Sequence, residues 1–143
     1  MLGRLATWLR LLGHDVTYDR DMDDYQLIRH AGEEGRIIIT RDTGIIRRKS
    51  ARNCIFIASD HVAEQLAELK QVLGPVERFS RTRCPCCNGE LEYMDKTESV
   101  RELVPDYIYH AYERFQQCGS CGKIYWEGSH YRRMKKTLQK VLQ

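Results

Sequence analysis

A chain of 143 residues with 42% apolar and 30% charged side chains is sized for one ordinary domain or two small ones. No apolar run approaches the ~20 residues of a membrane span, and Arg4 and Arg10 interrupt the first apolar positions, which excludes a signal peptide; a cytoplasmic protein with no membrane partner is expected. The net charge of +3 is a weak pull toward a polyanion, and six cysteines in such a setting predict metal ligation rather than disulfides.

Leu2 to Leu12 reads as an amphipathic helix, with Leu2, Leu5, Leu9 and Leu12 on one face, Trp8 beside them and Gly13 as its C-cap. Arg4 and Arg10 fall off that face and are expected to be solvated rather than bound to phosphate. His14 to Tyr18 reads as a short strand. Asp19, Asp21, Asp23 and Asp24 then precede a helix that turns Leu27, Ile28 and Ala31 inward. Acids at a helix start cap free N–H groups and complement the dipole, which explains one or two of these four. The rest repel one another unless a cation or base is near.

Gly35 to Asp42 is the centre of this half. Ile37, Ile38 and Ile39 are consecutive β-branched residues, the pattern of a strand buried on both faces in a parallel sheet. The run ends at Thr40-Arg41-Asp42, so a carboxylate lies just past the carboxyl end of a central strand, where open α/β sheets hold their ligands. Asp42 could equally cap the following turn. Thr43 to Ser50 predicts a short helix with Arg47, Arg48 and Lys49; Asn53 to Ala58 predicts a second apolar strand, which also runs into an acid, Asp60. His61 to Leu73 predicts a helix with Val62, Leu66, Leu69 and Leu73 inward. This alternation argues for a parallel sheet covered by helices over residues 1–74. A linker over 75–83 carries Arg78, Arg81 and Arg83.

Residues 84–143 change character. Cys84 and Cys87 form one Cys-x-x-Cys pair, Cys118 and Cys121 another. Four thiolates suit tetrahedral zinc and leave no position open for catalysis; a redox pair would need only one such motif, opening a helix after a strand. Cys86 and Cys54 read as non-ligands. Leu91–Met94 and Lys123–Trp126 read as strands, Tyr107–Gln117 mostly as strand, and Ser99–Val104 as a helical turn before Pro105. So small a ribbon has little core, and metal binding then supplies folding energy, ~10–16 kcal/mol in small zinc modules. Ser129 is placed as N-cap of a last helix with Tyr131, Met134, Leu138 and Val141 as its apolar stripe. Its other face holds Arg132, Arg133, Lys135, Lys136 and Lys140 with no acid, which predicts contact with a phosphate backbone, a solvated face being the plainer alternative. His130, at the helix start, reads either as an RNA contact or as capping geometry.

Leu2-Gly3-Arg4-Leu5-Ala6-Thr7-Trp8-Leu9-Arg10, Asp24 ahead of a helix, Thr40-Arg41-Asp42, the two cysteine pairs and Trp126-Glu127-Gly128-Ser129-His130 together resemble the Mut-seven C-terminal RNase family. The resemblance implies an α/β PIN-like parallel sheet covered by helices, then a small zinc ribbon and a C-terminal basic helix. It implies an RNA phosphodiesterase that uses Mg²⁺ or Mn²⁺ on acidic side chains, with Zn²⁺ structural and RNA as partner; the ribosome is a further candidate partner. Carried over by position, Asp24 and Asp42 are the metal ligands, Asp60 a further candidate, and Asp19, Asp21 and Asp23 reserves. Such metals take oxygen ligands and can activate water while neutralising the leaving oxygen.

The family's pattern opens with a short apolar strand ending in an Asp, ahead of the helix that here begins at Leu2. This sequence shows neither, so either the start lies upstream or catalysis is lost. A non-catalytic RNA- or ribosome-binding protein therefore stands beside the nuclease, with a protein-interaction module built on the ribbon as a third reading. No Walker-type glycine loop is present, which discounts an NTPase.

Overall fold

The computed structural model describes residues 2–74 and 81–143. The linker expectation, including Arg78, falls mainly on residues 75–80 and lies outside the described residues.

The first part runs α1 (Gly3–Leu11), α2 (Asp24–Glu34), β1 (Ile38–Thr40), α3 (Thr43–Ile46), β2 (Cys54–Phe56), α4 (Val62–Glu68) and α5 (Lys70–Leu73). β1 and β2 pair in parallel, with Ile38 opposite Cys54, Ile39 opposite Ile55 and Thr40 opposite Phe56. Because side chains alternate across a pleat, this pair serves two cores. Ile38 packs with Ile28, Ala31 and Ile45 of α2 and α3. Ile39 and Ile55 pack on the other side, against Leu5, Leu9, Ile57, Leu66 and Leu69. Helices thus cover both faces, and the result is a mixed α/β unit around a small parallel sheet. β1 is not central, however: among the described residues β2 is its strand neighbour, and Ile37 just ahead of it is 54% exposed.

Two local expectations fail for identifiable reasons. His14–Tyr18 forms no strand, because side chains take its backbone groups. The Val16 N–H donates to Asn88 Oδ1 at 2.9 Å, and the Val16 carbonyl accepts from Arg10 Nε at 2.9 Å. The helix expected over His61–Leu73 breaks at Leu69, whose N–H is shared between the Gln65 and Leu66 carbonyls. Such a three-centre bond tightens the turn, and Leu69 is thereby buried.

The second part runs β3 (Leu91–Met94), α6 (Glu98–Leu103), α7 (Asp106–Ala111), β4 (Phe115–Cys118), β5 (Ile124–Trp126) and α8 (Ser129–Leu142). The strands form an antiparallel sheet in the order β3-β4-β5, with Met94 opposite Phe115 and Phe115 opposite Trp126. Those three share a face that packs on Val100, Val104 and Ile108 from the α6–α7 segment. The strand expected over Tyr107–Gln117 is helix as far as Ala111 and becomes strand only from Phe115. Pro105 fixes the backbone just ahead of α7, Asp106 suits its positive end, and Ile108 finds burial beside Val100 and Val104. Aromatic β-propensity yields there to packing.

Gly128, not Ser129, is the N-cap of α8. A Cβ at position 128 would stand 3.0 Å from the Trp126 indole Nε1, so the chain turns there on a residue without one. α8 then crosses back to the first part, where Leu138 and Leu142 join Leu5, Leu9, Leu66 and Leu69. Fully buried leucines of this kind contribute about 1.5–3 kcal/mol each relative to exposure. Leu138→Ala is expected to cost about 2–5 kcal/mol, transfer and cavity together. Urea unfolding should show that loss as a lower midpoint, and a change under 1 kcal/mol would mean that α8 is not part of the core.

A four-cysteine centre and the carboxyl edge of the parallel strands

The ligand atoms of Cys84, Cys87, Cys118 and Cys121 all lie within 4.8 Å of one another. Cys84 Sγ is 3.7 Å from Cys121 Sγ, and Cys87 Sγ is 3.4 Å from Cys118 Sγ. Each pair comes from a tight turn, one leading into β3 and the other linking β4 to β5, so the sheet brings the two turns together. The turns aim backbone N–H groups at sulfur: Gly89 N–H at Cys87 Sγ, and Ser120 and Cys121 N–H at Cys118 Sγ, each at 3.4 Å. Burial raises the Cys118 thiol, but the N–H groups of Cys121 and Ser120 outweigh it and hold the pKa at about 6. Burial and the bond to Cys84 push the Tyr125 phenol up, and its hydroxyl is hydrogen-bonded with Cys84 Sγ at 3.0 Å. A Cβ on Gly89 would stand 2.7 Å from Cys118 Sγ, which makes glycine a requirement of the centre. A four-sulfur set that tight, with donors steadying the thiolates, could bind a metal such as zinc. Cys86 is exposed and accepts from Lys123 Nζ at 3.1 Å, and Cys54, in β2, points to the Ala51 carbonyl ahead of that strand; neither joins the group.

The first cysteine turn is bonded to α1. Arg10, expected to be solvated, is only 7% exposed. Besides Val16, its guanidinium donates to the Pro85 carbonyl at 3.1 Å and the Cys86 carbonyl at 3.3 Å. Its partners are 75 and 76 residues away, so no local pattern could reveal them. Asn88, at φ 70°, donates to Asp15 Oδ1 at 2.7 Å. The Arg36 guanidinium, with help from Asn88, holds the Asp15 carboxyl below the usual range.

The acids are dispersed. Asp23 caps α2, with Gln26 completing a reciprocal box, and Asp19 accepts from the Asp21 N–H. Asp24 pairs with Arg48 at 3.4 Å beside an open cleft of about 430 Å³ lined in part by Tyr25, Arg29 and Gly32. Asp42 caps α3, its Oδ1 accepting from the Gly44 N–H at 2.7 Å. Asp60 is exposed, with His61 Nε2 3.5 Å away. Among the described residues the four cysteines are the only group of three or more ligand-type side chains whose donor atoms converge. Asp24, Asp42 and Asp60 are not drawn together in that way. Glu68 was missed from sequence. It accepts the Ala58 and Ser59 N–H groups at 2.9 and 3.0 Å just past β2, and those bonds hold its pKa down. Only its spacing on the α4 face could have hinted at this.

On α8, His130, Arg132, Arg133, Lys136 and Lys140 are exposed, whereas Lys135 is half-buried beside the apolar stripe. Neither a curated protein nor a solved structure matches the chain. A family model described as the Mut7-C RNAse domain matches residues 1–138, a span that holds the parallel strand pair, all four clustered cysteines and most of α8. The chain belongs to the Mut7-C RNAse domain family.

Proposed function

We propose that this is an RNA-binding member of its family, that the four cysteines hold a structural Zn²⁺, and that the chain as it stands cleaves RNA weakly or not at all. The observation that carries the reading is the division of α8. Its apolar stripe is committed to the core through Leu138 and Leu142, so Arg132, Lys136 and Lys140 are held outward on a rigid helix. A fixed row of cations, spaced one turn apart, suits a phosphate backbone.

Weak cleavage follows from the acids. A catalytic Mg²⁺ or Mn²⁺ needs oxygen ligands converging on one point. Here Asp42 is engaged at a helix start and Asp24 with Arg48, so these residues do not fit a three-acid site. Misplacement by ~1 Å already costs ~100-fold in rate. The second reading, a divalent-metal ribonuclease using Asp24, Asp42 and Asp60, is favoured by one feature: Asp42 and Asp60 follow the carboxyl ends of adjacent parallel strands.

Labelled single-stranded RNA incubated with the protein and Mn²⁺ separates the two. Binding with background cleavage, unchanged in Asp24→Asn and Asp42→Asn, is expected. Mn²⁺-dependent cleavage that disappears in Asp42→Asn, with binding retained, would establish the second reading. Asparagine caps a helix about as well as aspartate, so loss of activity there would not reflect a lost cap.

A further inference from the structure

We infer that the ribbon carries a base-stacking platform for single-stranded RNA, centred on Tyr93 and Arg114; this rests on the RNA-binding reading and assigns it a second surface, away from the outer face of α8. The argument begins with the sheet register. Tyr93 lies opposite Gln116, and Gln116 opposite Tyr125, so the three form a row across one face. The opposite face, with Met94, Phe115 and Trp126, is covered by the α6–α7 segment. On the tyrosine face cations alternate with rings. The Arg81 guanidinium lies 5.4 Å from the Tyr125 ring centroid and 4.5 Å from that of Tyr131 at the start of α8. It donates from Nε to Gln116 Oε1, and Gln116 Nε2 donates back to the Arg81 backbone carbonyl, both at 2.9 Å. Those groups close the inner end of the row. At the outer end Arg114 lies 5.0 Å from the Tyr93 ring centroid, and Tyr93 remains 65% exposed.

An aromatic ring left in water beside an exposed guanidinium suits an occupant that offers both a flat π-face and a negative charge. A nucleotide has both: the base stacks on the tyrosine and the phosphate meets the arginine. Single strands fit and duplexes do not, because paired bases are already stacked within the helix. Tyr131 and Arg81 link this row to α8, so one strand could run from Tyr93 toward the cations that begin at Arg132.

The test is fluorescence anisotropy of a short labelled single-stranded RNA, and of its duplex, against the full-length protein. Tyr93→Ala is expected to weaken single-strand binding about 5- to 150-fold, the range of one lost stacking contact, with duplex binding nearly unchanged. Tyr93→Phe should bind as the wild type does, and Arg114→Ala should lower the salt dependence by about one phosphate contact. Melting temperature and zinc content are the folding controls, and the exposed position of Tyr93 predicts no change in either. Unchanged single-strand binding in Tyr93→Ala overturns the platform while the RNA reading stands, and leaves that face to a protein. A Tyr93→Phe variant as weak as Tyr93→Ala also overturns it, since the hydroxyl rather than the ring would then be the contact. A wild-type protein that binds no RNA removes platform and RNA reading together.

Discussion

Purified protein is expected to carry one Zn²⁺ per chain, to lose it on Cys87→Ser and to keep it on Cys86→Ser. The two cysteines are adjacent, but only Cys87 reaches the other three sulfurs, and Cys86 faces Lys123 instead. The effect of losing the metal should be large, because the ribbon's own core is small and such centres contribute ~10–16 kcal/mol to folding. It should also extend beyond the ribbon. Arg10 is a nearly buried cation whose partners include the Pro85 and Cys86 carbonyls. When that turn loosens, the guanidinium loses hydrogen bonds of the charged kind, worth about 1.5–3 kcal/mol each. The Asn88 links to Asp15 and Val16 loosen with it. Hydrogen exchange after chelation should therefore quicken in residues 5–16 as well as in β3 to β5. Zinc retained in Cys87→Ser, or exchange in α1 indifferent to chelation, would contradict this account of the centre.

What could be read from the residues and what could not divide along a physical line. The parallel strands were legible because β-branched residues such as Ile38 and Ile39 have few other stable placements, although Ile37 beside them stays outside the strand, and the cysteine centre was legible because ligand spacing is local. The apolar stripe of α8 was legible for the same reason, although nothing in its period says which core it enters. Arg10 was misread because its partners come from a turn far along the chain. Residues 107–111 were misread because their aromatic β-propensity is outweighed by burial of Ile108 against α6. At Asp42 both readings were available from sequence, and the Gly44 hydrogen bond favours the cap. The acids around it carry local duties that a count of carboxylates does not distinguish from metal ligation.

Reversing Arg132 and Lys136 to Glu is expected to weaken single-stranded RNA binding about 25-fold at about 0.1 M salt, alike for all sequences. Each phosphate contact on a single strand contributes about 0.7 decades of affinity per decade of salt, so two lost contacts account for that factor. The pair is chosen from the geometry of α8. Arg132 and Lys136 are exposed and one turn apart, whereas Lys135 is half-buried beside the helix stripe, so a change there would mix charge with packing. Arg133 already turns its Nε back to the Ser129 carbonyl at 3.5 Å and is less free to reach a ligand. The slope of log affinity against log salt should fall by about 1.4 in the double variant. Its stability should hold, because the residues that seat the helix, Leu138 and Leu142, are untouched. A salt slope unchanged by the double reversal would move the phosphate contacts off α8, and the row of tyrosines and arginines on the ribbon would then be the next surface to reverse.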